Sequence, residues 1–381
     1  MHVFNVNEKL QVMVVDLNGL VRWRGNDVVI DLKSIVTEPK MQDHTLELVS
    51  SDAYPLTTGS DTDPIAYLGT CWVVYDQLFA PHSFFAALFQ VNKDYQVSQW
   101  MRITLPDAPT FTKFIASNPT APDNLYWSIF SHSKGADLFE INRNVKVPFN
   151  KRIAGPRSVV DNFRALDISD LPGSVLRCDT WASNSIRVVV AGFDTGYVIA
   201  SISPINTNTV SDRKTLKFSG PISILQVVQP QSATSPAMVL VSSTIGPATI
   251  WALRIEKNKI FWELRTQFTE SEVYDAVITA TTTKQFILIG TYGEQLLIYS
   301  LEDSLRYSEI SPLATLNVAS PILSIVPVEN DNALFVLSSK GFHQYVQLDS
   351  AQQPMGNIEE GLSSTFESSP KNSQILKPPI V

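Results

Sequence analysis

The stretch Phe286-Ile-Leu-Ile-Gly-Thr-Tyr-Gly293-Glu-Gln-Leu-Leu-Ile-Tyr299 decides the fold. A run of β-branched and aromatic residues stops at a short turn containing glycine, and a second such run follows, which is how a β-hairpin reads. Both runs are continuously apolar instead of alternating, so both faces of these strands are expected to be buried. Blades stacked around a central axis bury both faces of their inner strands in this way.

Three further copies lie nearby: Arg187 to Ala200 turning at Gly196, Met238 to Trp251 turning at Gly246, and Leu334 to Val346 turning at Gly341. The turn glycines Gly196, Gly246, Gly293 and Gly341, each expected to take positive φ, are 50, 47 and 48 residues apart. A period of about 40 to 50 residues is that of one four-stranded propeller blade. Gly220-Pro221-Ile222-Ser223-Ile224-Leu225 and Ser320-Pro321-Ile322-Leu323-Ser324-Ile325 precede two of the hairpins and are expected to supply innermost strands. Towards the N-terminus, Leu10 to Trp23 turns at Asn18-Gly19, Phe84 to Trp100 turns near Asn92-Lys93-Asp94, and Leu125 to Ile141 turns near Lys134-Gly135. Seven hairpins predict an all-β, divergent, seven-bladed β-propeller over residues 1–349. The long interval from Gly19 to Asp94 predicts an insertion around Ser50 to Pro64. From Ser350 the composition shifts to Gln, Ser, Pro, Glu and Lys, and residues 350–381 read as a disordered tail.

Composition excludes several functions. The net charge of −8 over 381 residues gives no electrostatic footprint for nucleic acid. Two cysteines, Cys71 and Cys178, are too few to staple a secreted chain of this size, so both are expected to be reduced and the chain cytoplasmic. The N-terminus carries no signal-peptide pattern and no apolar run is long enough to cross a bilayer, so any membrane association is expected to come through partners.

No catalytic or ligand motif appears. Neither a Walker A loop nor G-x-G-x-x-G is present, and the G-x-S-x-G elbow of serine hydrolases is missing. His2, His44, His82, His132 and His343 are spread along the chain without metal-ligand spacing. The pairs Asp61/Asp63 and Asp167/Asp170 lack the EF-hand pattern and read as turn residues. Glu329-Asn330-Asp331-Asn332-Ala333 has no glycine to form a calcium loop. No catalytic residue, metal site or cofactor is therefore expected. Trp181, Trp251, Trp262 and Tyr299 read as packing residues, and the absence of Trp-Asp and Gly-Gly pairs separates the blades from WD40 and kelch repeats.

Thr291-Tyr292-Gly293-Glu294-Gln295-Leu296-Leu297-Ile298-Tyr299, Gly220-Pro221-Ile222-Ser223, Ser338-Ser339-Lys340-Gly341 and Asp170-Leu171-Pro172-Gly173-Ser174-Val175-Leu176 resemble segments of the kaptin family. The resemblance extends over most of Met1 to Asp349. It implies a propeller that is a subunit of KICSTOR, the scaffold that brings the GATOR nutrient-sensing complex to lysosomes and restrains TOR signalling when amino acids are scarce. It also implies actin association as an alternative role, for which Lys146, Lys151, Arg152 and Arg157 are a candidate basic stretch on an otherwise acidic chain. The expected function is a non-enzymatic scaffold whose partners are other KICSTOR-like subunits, a GATOR-like complex and, in the alternative, actin. Its expected location is cytoplasmic and peripheral at the lysosome. A hydrolase or oxidoreductase site in a central channel is disfavoured because the strand starts there read Pro221-Ile222 and Pro321-Ile322.

Overall fold

A computed structural model describes residues 2–6, 9–23, 28–38, 44–56, 64–116, 124–132, 135–142, 173–182, 186–204, 210–228, 236–268, 277–283, 285–318, 320–328 and 333–346. These contain twenty-six strands and two short helices, α1 (Leu32–Val36) and α2 (Leu301–Arg306), the all-β class expected.

The strands form seven sheets in chain order, each a meander whose successive strands are neighbours, as in propeller blades. The first contains β1 (His2–Val6), β2 (Lys9–Val15), β3 (Leu20–Trp23) and β4 (Val29–Asp31). The second contains β5 (Thr45–Pro55), β6 (Ala66–Tyr75), β7 (Pro81–Val91) and β8 (Val97–Leu105), and the third β9 (Pro109–Ala116), β10 (Asn124–Ser131) and β11 (Gly135–Asn142). The fourth contains β12 (Val175–Ala182), β13 (Ile186–Phe193), β14 (Tyr197–Pro204) and β15 (Asp212–Lys217). The fifth contains β16 (Ile222–Val228), β17 (Ala237–Ser243), β18 (Ala248–Glu256) and β19 (Lys259–Phe268). The sixth contains β20 (Val277–Thr282), β21 (Phe286–Thr291), β22 (Gln295–Ser300) and β23 (Ala314–Asn317), and the seventh β24 (Ile322–Val328), β25 (Ala333–Ser338) and β26 (Gly341–Val346).

The sheets repeat in detail. In the fourth to seventh, the register of the opening strand slips at its second residue, leaving Leu176, Ser223, Ile278 and Leu323 as bulges. Such a bulge adds local twist. In three of the four, the residue after the second strand donates a backbone hydrogen bond to the residue before the first: Asp194 to Ser174, Thr244 to Pro221 and Ser339 to Pro321. The two Pro-Ile segments thus open their sheets, as β16 and β24.

The chain divides into two compact units, Met1–Thr195 with Ile199–Arg213, and Gly196–Val198 with Lys214–Val381. In the first unit Met13, Trp23, Trp72, Phe85 and Phe89 share one core cluster, and Trp100, Phe114 and Trp127 belong to a second. Two of the buried indoles donate to threonines: Trp72 to Thr70 Oγ1 at 2.8 Å and Trp127 to Thr112 Oγ1 at 2.7 Å. In the second unit Tyr299 packs against Phe268 with ring centroids 4.6 Å apart, and Trp251 meets Trp262 edge to face at 6.4 Å. The packing role expected of Trp251, Trp262 and Tyr299 agrees with this geometry, and Trp181 is half-buried.

Three expectations are corrected. Ser50 to Pro55 is not an insertion but the end of β5, with Ser50 opposite Cys71 and Pro55 opposite Ala66. The Phe84–Trp100 hairpin joins the third and fourth strands of its sheet, whereas the other six join the second and third. Its counterpart is the β6–β7 turn at Asp76-Gln77-Leu78-Phe79-Ala80, which has no glycine. Finally, Gly19, Gly196 and Gly246 take positive φ as expected, but in the β21–β22 turn the left-handed residue is Glu294 (φ 69), not Gly293. The tail 350–381, the basic stretch Lys146/Lys151/Arg152/Arg157, Asp61, Asp63, Asp167 and Asp170 lie outside the described residues.

Candidate interaction surface

The turns have one recurrent construction. Asp16 Oδ1 accepts from the backbone N–H groups of Asn18 at 2.8 Å and Leu20 at 2.9 Å. Asp76 Oδ1 does the same for Leu78 at 2.8 Å and Ala80 at 2.9 Å, and Asn92 Oδ1 for Asp94 at 3.0 Å and Gln96 at 2.8 Å. Each side chain closes a tight loop in which the fourth residue is left-handed: Gly19 (φ 78), Phe79 (φ 56) and Tyr95 (φ 62). A side chain with a Cβ is strained there. Tyr95 has a visible compensation, since its ring packs on Trp23 with centroids 5.0 Å apart. Phe79 has none and stands exposed.

The second-to-third-strand turns, of which the Asp16 and Asp76 turns are two, carry several of the exposed large apolar side chains. In the first unit Leu17, Leu78 and Phe79 project from them, and in the second Ile245 and Tyr292 do. A turn held rigidly by its Asx cap presents such a side chain in one orientation, as binding loops on rigid scaffolds do.

Within the first unit, charged residues link three neighbouring sheets. Asp52 of β5 accepts from the backbone N–H of Phe114 in β9 at 2.7 Å, and Ser50 Oγ from that of Thr112 at 3.2 Å. Lys113 of β9 reaches Asp179 of β12 with Nζ to Oδ1 at 2.7 Å. Burial pushes the Asp52 carboxyl up to about 6, against the opposing pull of the Phe114 N–H and of Lys113. For Lys113, burial lowers the pKa, but Asp179, with Asp52 adding, outweighs it and the ammonium is held above its ordinary value. The buried, unpaired thiols also titrate high: burial pushes Cys71 up to about 12 and raises Cys178 as well. Thiols so protonated are poor nucleophiles. This polar chain joins sheets; it has the chemistry of a structural clasp.

The histidines are not all apart, as their spacing suggests: the rings of His44 and His82 lie 5.1 Å from each other. The His132 side chain hydrogen-bonds Ser174 Oγ. Among the described residues no group of three or more His, Cys, Asp or Glu is placed to hold a metal ion. No described helix is long and apolar enough to cross a membrane. Sequence reasoning missed the Leu78-Phe79 tip and the Asp52–Lys113–Asp179 chain. The first was signalled by four consecutive apolar residues, Leu78-Phe79-Ala80-Pro81, within a turn; the second had no local signal.

A model of the KICSTOR complex protein kaptin family matches residues 157–353, more than half of the chain. The chain belongs to that family. No curated protein matches its sequence. Among solved structures, BBS1N in complex with ARL6DN, in crystals soaked with lead and with mercury, is similar to it with a TM-score of 0.53 in both cases. The identities are 10% and 9%, over 92% of this chain and 92% of the other. At that identity the likeness concerns the fold, a β-propeller. For the kaptin family member described here, it agrees with the meandering sheets and accounts for none of the exposed turn residues.

Proposed function

We propose that this chain is a non-enzymatic scaffold subunit of a KICSTOR-type complex that recruits a GATOR-type complex to lysosomes and restrains TOR signalling during amino-acid starvation. The observation that carries the reading is the family match over residues 157–353. The seven sheets are read as seven blades of one propeller over residues 1–349, supported by their common meander and by the bulge shared by the last four and the backbone bond shared by three of those. A ring of blades fixes many loops on one rigid body, which suits a protein that holds others together. Membrane association then runs through partners.

The test is affinity purification of the tagged full chain from its own cells, in amino-acid-replete and starved media, with mass spectrometry. Recovery of KICSTOR-type and GATOR-type subunits supports the scaffold. Recovery of actin and its regulators alone replaces it with the cytoskeletal role.

A further inference from the structure

We propose that the β6–β7 hairpin tip, Gln77 to His82, is a docking knob that inserts Leu78 and Phe79 into an apolar pocket of a partner protein. All six residues are exposed, and Leu78 and Phe79 are 87% and 75% exposed. Four consecutive exposed apolar residues gain nothing for folding. Phe79 moreover occupies a left-handed position (φ 56) that the homologous turn of the first sheet gives to Gly19 (φ 78). A bulky residue kept in strained backbone without a packing partner is the pattern of a functional site. The tip is nevertheless rigid, because Asp76 Oδ1 holds the N–H groups of Leu78 and Ala80. A preorganised aromatic and aliphatic pair loses little entropy on burial, as interface anchors do.

The charges around the tip select the occupant. No Asp, Glu, Lys or Arg lies between Gln77 and His82, and among the described residues Asp76 at the base of the turn and Glu47, which accepts a hydrogen bond from Tyr75, place acidic groups at this end of the sheet. The chain as a whole carries −8. An anionic lipid surface repels such a knob, whereas a protein pocket rimmed by Lys and Arg complements it.

The test uses the tagged full chain in its own cells. Leu78→Asn with Phe79→Gly gives the tip the pattern of the first sheet's Asp16-Leu17-Asn18-Gly19 while keeping the Asp76 cap. Its melting temperature should match or exceed that of the wild type, and quantitative mass spectrometry should show at least a tenfold loss of one co-purifying protein. Leu78→Asn alone, which leaves the left-handed residue untouched, should show the same loss. A benzophenone amino acid at position 79 should crosslink to that same protein, in an apolar pocket with a basic rim. Undiminished recovery of every partner overturns the proposal, and so does crosslinking confined to lipid or to a second copy of this chain. If the variant recovers every partner undiminished and KICSTOR-type subunits are among them, the knob is refuted while the scaffold reading stands; if one protein is lost and not even the wild-type chain recovers KICSTOR-type subunits, the knob stands while the scaffold reading fails.

Discussion

The carboxylate of Asp52 in β5 accepts the backbone N–H of Phe114 in β9 at 2.7 Å, so a charged side chain of one sheet completes the edge of the next. Because the folded-state pKa is about 6 against an ordinary 3.8, the folded protein binds this proton more tightly than the unfolded chain. The associated stabilisation is fully present below about pH 4 and is lost as pH rises through 6, on the order of 3 kcal/mol in all. Asp52→Asn keeps an acceptor for Phe114 without the buried charge. The variant should match wild type in urea midpoint near pH 4 and exceed it at pH 7; a lower midpoint at pH 7 would show that the attraction of Lys113 for the carboxylate dominates.

Lys113 neutralises two carboxylates at once. Lys113→Met should leave Asp52 and Asp179 facing each other across β9 with no cation, destabilising by about 2 to 4 kcal/mol, near the lower part of the range for broken buried pairs because water still reaches the site. Adding Asp179→Asn should recover part of that loss. A double variant no better than the single one in chemical denaturation would deny that the pair is coupled.

Gly69 in β6 lies against the indole of Trp127: a Cβ there would stand 2.3 Å from Nε1. Trp127 is fully buried and its Nε1 is bonded to Thr112, so the ring has no room to withdraw. Gly69→Ala should destabilise by about 1 to 3 kcal/mol through overpacking, read as a lower melting temperature. In the second unit Gly290→Ala should act alike, with the new Cβ 2.7 Å from Ile322 Cγ2.

The Asx caps predict opposite effects within one turn. Asp76→Ala removes the acceptor of two N–H groups and should cost about 1 kcal/mol, whereas Phe79→Gly relieves left-handed strain and should gain about 1 kcal/mol. Differential scanning calorimetry of the two variants checks both signs.

What the sequence made legible was the repeat. The hairpins at Gly19, Gly196, Gly246 and Gly293 were readable because apolar strands flank a turn glycine, and the structure places each in its own sheet. The β6–β7 hairpin escaped because Phe79 stands where glycine is usual, so the interval from Gly19 looked too long. The end of β5 escaped for a different reason. Ser50 and Asp52 are polar because their side chains serve the N–H groups of β9, a neighbour about sixty residues away in sequence. The same distance hid the pairing of Lys113 with Asp179.

The scaffold role in nutrient signalling is the central claim made for this protein. The direct measurement is phosphorylation of TOR substrates after amino-acid withdrawal in cells from which this chain has been removed. The account predicts that phosphorylation persists through starvation and that re-expression of the full chain restores its shut-off. Normal shut-off without the chain would contradict it.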